Sequence, residues 1–376
     1  MSRIRSLAFL LCATAGAAHA TAPSSPQPKS QPGPFDVVTV AEGLEHPWGL
    51  ALLPDGTVLV SERAGRLRSI DARGTISAPL KGVPKVAAGG QGGLLDLTLS
   101  PTFEQDRLVY FSFSEPGDGG SGTSVARGRL GDGALEDVQV LWRQTPKVDS
   151  QLHFGSRIVF GPNDTMFITT GDRYNQRPKV QDLSTTIGKV IRLKRDGSIP
   201  QDNPFVGRDN AKPEIWSYGH RNIQAAALHP QTNQLWTIEH GARGGDELNN
   251  PQPGKNYGWP VITYGRDYSG EKIGEGTEKA GMEQPVYYWD PVIAPSGAIF
   301  YTGDAFKEWQ GDLLIGSMTP GGLVRLELED GKVVKETRYL GELKERIRDV
   351  QQAADGSIYL ITDSRSGKLL RLQPKK

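Results

Sequence analysis

One recurring pattern constrains the fold of this chain more than any other feature: an apolar strand, a turn built around Pro, Asp, Gly or Asn, and a second apolar strand. The six copies occupy residues 48–62, 94–115, 156–172, 225–241, 297–317 and 347–363. Their turns follow one another at intervals of 47 to 73 residues. Because a unit of two strands cannot bury both of its faces alone, repeats of this length predict a closed ring of small sheets.

The segments between the copies favour the same architecture. Short third strands follow three of the copies, at residues 65–71, 322–328 and 367–373. The 46 Gly and 26 Pro residues are spread along the chain, which excludes a coiled coil or a helical bundle. A β-sandwich would have fewer and more evenly spaced strands, and a parallel α/β fold would need amphipathic helices. We therefore predict an all-β fold, a six-bladed β-propeller over residues 35–376.

The N-terminal segment has the composition of a targeting signal. Two arginines, an apolar stretch over residues 7–18 and the small-residue motif Ala18-His19-Ala20 predict a signal peptide over residues 1–20, cleaved after Ala20. The apolar stretch is too short to cross a hydrocarbon core of ~30 Å as a helix. Residues 21–34 contain five prolines and predict an exposed tether. We expect a periplasmic or secreted protein.

Charge and short motifs exclude several classes of function. Lys and Arg together number 43 and Asp and Glu 43, so there is no basic excess to bind a nucleic acid. With 37% apolar residues, membrane insertion is not expected. Residues 117–122 fit the dinucleotide motif GxGxxG, but a strand-like sequence follows where the motif needs a helix. A nucleophilic GxSxG turn of the serine hydrolases is not found.

Polar residues stand where several of the predicted inner strands begin, which in a propeller is the mouth of the central channel. His153 precedes the third unit, where a neutral imidazole accepts a proton near neutral pH. Gln91 lies between glycines at the start of the second unit, and Asn222 enters the fourth. Taken singly, each of these residues is more typical of a turn, a core or a solvated surface.

Three arginines share this predicted location. Arg221 enters the fourth unit, and Arg346 and Arg348 enter the sixth on one face of the strand. An arginine offers a planar fork that binds carboxylates in two places at once. The arrangement predicts a binding site for a polyanionic ligand. For the pair Arg221 and Asn222 and for the pair Arg346 and Arg348, the alternative is a set of solvated polar residues.

A glycine-rich loop with acidic residues, EHGARGGDELN at 239–249, is followed by NYGWP at 256–260. Free backbone carbonyls next to carboxylates suit a hard cation that takes 6–8 oxygen ligands. The EF-hand pattern is absent, and there is no HxxxH pair for a transition metal. An ordinary turn remains the alternative to a cation site.

Taken together, these segments resemble the soluble pyrroloquinoline quinone (PQQ) dehydrogenases, in particular the aldose sugar dehydrogenase branch related to soluble glucose dehydrogenase. The resemblance covers residues 40–365. It depends on six motifs in order along the six units: PWGLALLPDG, GGQGGLLDLTLSPTF, HFGSRIVFGP with GDRYN, GHRNIQ, EHGARGGDELN with NYGWP, and RIRDV.

The resemblance implies a PQQ- and calcium-dependent enzyme that oxidises aldose sugars at the anomeric carbon to aldonolactones. His153 is then the general base, hydride passes to PQQ, and Asp172 lies beside the histidine. The residues implied to contact the cofactor are Gln91, Arg221, Asn222, Tyr268, Arg346 and Arg348. An aldose and an external electron acceptor are the implied partners, and we expect a monomer.

The resemblance also implies two calcium positions. The backbone carbonyls of Gly241 and Ala242 match ligands of a calcium on PQQ, while Glu247 and Tyr257 match ligands of a structural calcium, with Asp246 as a neighbour. One departure concerns Thr319, which stands where the family commonly places a lysine against PQQ. Two other functions stay open at this point: a calcium-dependent propeller lactonase and a non-catalytic binding propeller.

Overall fold

The computed structural model describes residues 27–375, which form six antiparallel sheets. The predicted signal peptide at 1–20 and the first part of the tether lie outside the described residues. The first strand of each sheet packs against the first strands of the two neighbouring sheets, and the sixth packs against the first, so the six sheets close a ring. The predicted six-bladed propeller is confirmed.

The strands of blades 1 to 3 follow one another along the chain. Blade 1 consists of β2 (Pro47–Leu52), β3 (Val58–Glu62) and β4 (Arg66–Ile70). Blade 2 consists of β5 (Leu94–Leu99), β6 (Leu108–Gly117), β7 (Gly120–Leu130) and β8 (Leu135–Arg143). Blade 3 consists of β9 (Ile158–Gly161), β10 (Thr165–Thr169), β11 (Lys189–Lys194) and β12 (Ile215–Tyr218).

The remaining blades complete the ring, and the N-terminal strand joins the last of them. Blade 4 consists of β13 (Ile223–Leu228), β14 (Leu235–Glu239), β15 (Asp246–Asn249) and β16 (Tyr287–Trp289). Blade 5 consists of β17 (Pro295–Phe300), β18 (Leu313–Ser317), β19 (Gly322–Glu329) and β20 (Lys332–Tyr339). Blade 6 consists of β21 (Ile347–Gln352), β22 (Ile358–Thr362), β23 (Gly367–Pro374) and, on its outside, β1 (Phe35–Leu44).

Helices are short, as predicted. The described residues contain one helical turn, α1 (Phe103–Asp106), and three 3₁₀ turns at Arg177–Val180, Lys307–Trp309 and Gly341–Leu343. The GxGxxG stretch is part of the hairpin between β6 and β7, which agrees with its rejection as a dinucleotide site. The sequence pattern found three third strands, whereas every blade has one. It also missed the fourth strands β12 and β16, which are short and lack a continuous apolar run.

The described part of the tether, residues 27–34, is hydrogen-bonded to the body of the propeller. The Gln31 amide donates to the carbonyl of Arg338 at 2.9 Å, and Ser30 forms a bridge with the same residue. The Gln27 side chain donates to the carbonyl of Pro291 at 2.7 Å. Residues 27–34 are mostly exposed, as expected, but they follow the edge of blade 5.

Two consequences of this architecture bear on function. All inner strands begin at one end of the ring, so the residues just before them surround one mouth. Apolar clusters fill the spaces between adjacent blades; one of them joins β13 to β17 around Trp289 and Ile315, both of which are fully buried.

Within residues 27–375, no helix has the length and apolar character needed to span a membrane.

Candidate active site

His153 and Asp172 form a buried pair at the mouth. The Nδ1 atom of His153 lies 2.6 Å from Oδ1 of Asp172, and the histidine residue is only 6% exposed. Burial lowers the pKa of His153 below its ordinary value, although the hydrogen bond and charge of Asp172 oppose the shift. Burial alone would raise the pKa of Asp172, but the hydrogen bond and charge of His153 hold it below its usual range. An ionised Asp172 accepts a hydrogen bond from the protonated Nδ1 of His153, which leaves Nε2 as the basic atom.

Further donors fix the Asp172 carboxylate. Its Oδ2 atom accepts a hydrogen bond from Nε1 of Trp259 at 2.8 Å, and its Oδ1 atom accepts the backbone amide of Tyr174 at 2.7 Å. The Tyr174 ring also lies edge-on to the His153 ring, with centroids 5.4 Å apart. Trp259 belongs to the NYGWP motif, which follows the glycine-rich loop at 239–249 (the cation loop). The motif therefore orients Asp172 beside His153. The sequence singled out the NYGWP motif but not this contact.

Two of the predicted cofactor contacts support the segment that carries His153. Oε1 of Gln91 accepts the backbone amide of His153 at 2.8 Å, and Oδ1 of Asn222 accepts that of Gly155 at 3.1 Å. Oxygen atoms of both side chains are therefore used within the protein. The Nδ2 atom of Asn222 is buried and has no hydrogen-bond partner among the described residues.

The predicted sixth-blade arginines meet at a cavity of about 360 Å³ in the mouth. Arg348 and Arg346 both reach Oδ2 of Asp363, at 2.6 Å and 3.4 Å. Arg348 also donates to Oε1 of Gln224 at 2.9 Å. The cavity is lined by His46, Trp48, Arg63, Gln91, Gln224, His240, Ala294, Met318, Arg346, Arg348 and Asp363.

Arg221 and His240 connect this cavity to the cation loop. Arg221 is 3% exposed, donates from Nη1 to the carbonyl of His240 at 3.0 Å, and lies over the ring of Trp259. Burial lowers the pKa of His240 to about 3, so its ring is neutral, and its Nε2 lies 2.6 Å from the carbonyl of Pro295. The Nε and Nη2 atoms of Arg221, like Nε of Arg348, are buried without a partner in the described structure.

Several mouth residues were missed by the sequence interpretation. Asp363 pairs with both Arg346 and Arg348. Burial alone would raise its pKa, but Arg348, together with His46 and Arg346, holds the pKa well below the usual range. Asp363 follows the second strand of its blade, as Asp172 does in blade 3. That shared position was the signal that would have found it. Arg63 and His240 also follow the second strands of their blades, and His46 precedes the first strand of blade 1, so the same signals would have found them. Gln224 lies within the first strand of blade 4.

Backbone amides surround the carboxylate of Asp246, the predicted neighbour of the structural calcium. Oδ1 of Asp246 accepts the Gly241 amide at 2.7 Å, and Oδ2 accepts the amides of Ile293 and Ala294 at 2.8 Å and 2.7 Å. Burial raises the pKa of Asp246 to about 6, and these hydrogen bonds oppose the shift. Three backbone donors therefore fix this carboxylate between the loop and blade 5, and its place beside a calcium stays a prediction.

The other predicted calcium residues lie around a second, very small cavity. Gly241, Glu247 and Tyr257 line this cavity of about 10 Å³, together with Glu239, Arg221 and His240. Glu239 and Glu247 face each other in adjacent strands, and the amide of Asn249 donates to both carboxylates. Burial, followed by the charge of Glu239, raises the pKa of Glu247 well above its usual value. Among residues 27–375 there is no group of three or more His, Cys, Asp or Glu arranged to hold a metal.

Three predicted residues lie at the edge of the site. Ala242 packs in an apolar cluster with Trp259 and does not line the small cavity. Tyr268 is 60% exposed on the loop whose Asp267 pairs with Arg177. Thr319 is exposed, and its neighbour Met318 faces the mouth cavity instead.

A larger cavity, about 900 Å³, opens at the opposite end of the ring, where turns of blades 1, 2 and 6 meet. It is lined around Pro54, Pro101 and Asp355, and none of the predicted site residues faces it. The titratable residues and unpartnered donors described above are all at the mouth, which is therefore the candidate active site.

Comparisons with known proteins identify the family of this chain. The model of the family described as Glucose / Sorbosone dehydrogenase matches residues 44–371. The aldose sugar dehydrogenase YliI of Escherichia coli (strain K12) is 47% identical over 350 residues, which cover 92% of this chain and 94% of that protein.

Solved structures show the same similarity. The apo form of the soluble aldose sugar dehydrogenase from Escherichia coli superposes with a TM-score of 0.88 at 46% identity, covering 91% of this chain and 100% of that one. The PQQ-bound form of an aldose sugar dehydrogenase from Streptomyces coelicolor superposes with a TM-score of 0.75 at 29% identity, covering 92% and 99%. The chain belongs to the glucose/sorbosone dehydrogenase family.

Proposed function

We propose that this protein is a PQQ-dependent aldose sugar dehydrogenase with its active site at the propeller mouth. The observation that carries the proposal is a set of buried, unpartnered donors beside the mouth cavity: Nε and Nη2 of Arg221, Nδ2 of Asn222 and Nε of Arg348. A buried donor without a partner costs about 1–3 kcal/mol. An anionic ligand with several acceptors removes that cost.

The residues present fit PQQ, which has three carboxylates. Arg348 and Arg346 at the cavity, and Arg221 and Asn222 beside it, would hold the acidic groups through charge-assisted hydrogen bonds. Gln91 and the neutral ring of His240 would add uncharged polar contacts. When bound, PQQ supplies the two-electron acceptor that the side chains of this chain lack.

His153 is the proposed general base. Its Nε2 atom would take the proton from the anomeric hydroxyl of the sugar, while Asp172 holds the proton on Nδ1 and stabilises the imidazolium that forms. Trp259 and Tyr174 keep the acid in place during this transfer. Loss of hydride from the anomeric carbon then leaves an aldonolactone as the product.

Calcium is the proposed second cofactor, at two positions: the carbonyls of Gly241 and Ala242 would hold an ion next to PQQ, and Glu247 and Tyr257 would hold a structural ion. The support comes from the donor set: two buried carboxylates, Glu239 and Glu247, face each other at a cavity of ion size. Burial, and after it the charge of Glu239, raises the pKa of Glu247, and a divalent cation there would offset the repulsion between the two carboxylates. Calcium next to the cofactor would also polarise it as a Lewis acid.

One spectroscopic experiment tests the proposal. PQQ and calcium are added to the purified protein, the absorption spectrum of the bound quinone is recorded, and an aldose is then added. Reduction of the bound quinone together with a lactone product identified by NMR is the expected result. Hydrolysis of an added lactone without a spectral change would favour the lactonase, and binding without either reaction would favour a non-catalytic propeller.

We further propose export with cleavage after Ala20, on the composition of residues 1–20. N-terminal sequencing of the protein recovered from a periplasmic or secreted fraction tests this. A mature chain that begins at Thr21 is expected, and a chain that retains Met1 would contradict it.

A further inference from the structure

Arg173, the residue after Asp172, is an unusual buried cation. Its side chain is fully buried, and none of the ion pairs found within residues 27–375 includes it. Its guanidinium lies 3.8 Å from the centre of the Phe154 ring. Burial lowers the pKa of Arg173 only to about 10, so the side chain stays charged at neutral pH. The proposed mechanism does not use this charge.

The donors of Arg173 bond to the loop before His153 and to the neighbouring blade 2. Nε donates to the carbonyl of Leu152 at 3.0 Å, and Nη2 donates to the carbonyl of Ser150. Nη1 donates to the carbonyl of Ser121 in blade 2 at 2.7 Å. Arg173 therefore joins the loop before His153 to blade 2, and it packs on the ring of Phe154, the residue after His153.

The backbone held in this way is not one that its sequence prefers. His153 has φ of 50°, in the left-handed region that non-glycine residues rarely adopt. Such a conformation persists only where the surrounding contacts determine it. Gln91 and Asn222 hold the amides of His153 and Gly155, and Arg173 holds the carbonyls on the N-terminal side.

We propose that Arg173 is the positioning residue for His153: its guanidinium fixes residues 150–154 in the conformation that presents the imidazole to Asp172 and the mouth. This inference rests on the proposed role of His153 as the base. Arginine suits the task because its planar fork bonds three carbonyls in different directions while its face covers a phenyl ring. A lysine keeps the charge but has neither the fork nor the plane.

The first test uses the apo protein and does not depend on activity. The proton shared by His153 and Asp172 is expected to give a downfield NMR signal, identified by its absence in His153→Gln. In Arg173→Met this signal should disappear or shift, and in Arg173→Lys it should be partly restored. An unchanged signal in folded Arg173→Met would overturn the inference.

Arg192 offers a matched control in the same blade. It is also a buried arginine stacked on an aromatic ring, Trp216, but it bonds to Asp202 and Asn203 away from His153. Arg192→Met should lower the melting temperature while leaving the downfield signal in place. If Arg192→Met abolishes the signal as well, the effect is general loss of structure and the positioning role is refuted.

The second test measures the rate at which an aldose reduces bound PQQ. A displaced base should lower this rate by about 10–100-fold in Arg173→Met while the affinity for PQQ stays close to wild type. Equal rates in Arg173→Met and wild type would refute the positioning role. Equal rates in His153→Gln and wild type would instead refute His153 as the base, so the two failures are distinguishable.

Discussion

At the scale of single residues, the chemistry of the mouth depends on which groups are charged. His153 is buried against an ionised Asp172, and its pKa lies below the ordinary value because of burial, with the charges of Arg221 and Arg177 adding to the shift. A free histidine has a pKa of about 6.5. Because the folded protein disfavours the protonated ring, His153 stays neutral, and thus basic, to a lower pH than a free histidine does.

The first prediction concerns this pKa. The acid limb of kcat/KM against pH should lie below about 6.5, because kcat/KM reports the free enzyme. Asp172→Asn removes the group that raises the pKa of His153, so the limb should move lower still while the rate falls by about 10²–10⁴-fold. Steady-state rates with an artificial electron acceptor measure both effects. An acid limb above that of free histidine would contradict the environment described for His153.

The second prediction concerns Thr319, which is exposed at the rim next to Met318. Thr319→Lys should tighten PQQ binding by roughly 10–150-fold, since a hydrogen bond to a charged group contributes about 1.5–3 kcal/mol. Arg325 does not replace the missing lysine, because it is paired with Asp312 and lies over Trp309. Titration of the apo protein with PQQ at saturating calcium gives the dissociation constants. Thr319→Met controls for side-chain length, and equal affinities in the two variants would disprove the charge effect.

At the scale of elements, the segment between β14 and β15 joins the two candidate cofactor positions. Its first residues carry the proposed calcium carbonyls, and Asp246 at its end binds Gly241 within the loop and the start of blade 5 through Ile293 and Ala294. The loop is therefore held by a side chain rather than by a strand ladder. Its geometry depends on one carboxylate that accepts three amides.

Replacing that carboxylate gives the third prediction. Asp246→Asn puts an NH₂ donor against backbone amides, so at least one buried amide loses its acceptor. We expect a loss of about 1–3 kcal/mol in the free energy of unfolding, measured by urea denaturation without added calcium. Asp267→Asn, in an exposed loop, is the control and should change stability much less. Stability equal to wild type in Asp246→Asn would remove the structural role assigned to this residue.

The fourth prediction separates a calcium ligand from a buried acid. Added calcium should raise the melting temperature of the apo protein, because a ligand of the folded state at 100 times its Kd stabilises by about 2.7 kcal/mol. Glu247→Gln relieves the repulsion with Glu239, so without calcium it should be at least as stable as wild type, while the gain on adding calcium shrinks. Melting curves with EGTA and with calcium measure both. An equal gain in wild type and Glu247→Gln would refute the assignment.

At the scale of the whole molecule, the axis of the ring is closed by a polar cluster centred on Arg157, which is 4% exposed. Arg157 precedes β9 in blade 3 and pairs with Asp96 of blade 2 at 2.7 Å and Asp349 of blade 6 at 3.0 Å. It also donates to the carbonyl of Gln224 in blade 4 and lies over Trp48 of blade 1. One side chain thus contacts four of the other five blades.

The fifth prediction follows from this position. Arg157→Met leaves two buried carboxylates without their cation, and removing one partner from a buried ion pair typically costs about 3–5 kcal/mol. Burial already raises the pKa of Asp349 to about 6, and the charge of Arg157 opposes the shift. Adding Asp349→Asn to Arg157→Met should therefore recover part of the loss in urea denaturation. If the double variant is less stable than Arg157→Met, the uncompensated charge is not the cause.

The repeat of strand, turn and strand was sufficient to predict the ring, because the apolar pattern of the inner strands is local and each copy contains it. The same reasoning placed His153, Arg221 and Arg348 at one mouth, since the starts of all inner strands lie at one end of such a ring. Three of the six third strands were predicted and the fourth strands were missed, and the short outer strands β12, β15 and β16 offer no continuous apolar run to recognise. The signal peptide and the cofactor roles remain predictions.

Only the tertiary structure decided what those polar residues do. Gln91 and Asn222 bind the backbone beside His153, and Trp259 orients Asp172. Arg157 reaches blades whose residues are 61 to 192 positions away in the chain. Sequence spacing carries no record of such pairs, because they form only when the ring closes and brings distant inner strands onto one axis. The composition of each strand is a local property, whereas the partners of its buried polar atoms are a property of the closed ring.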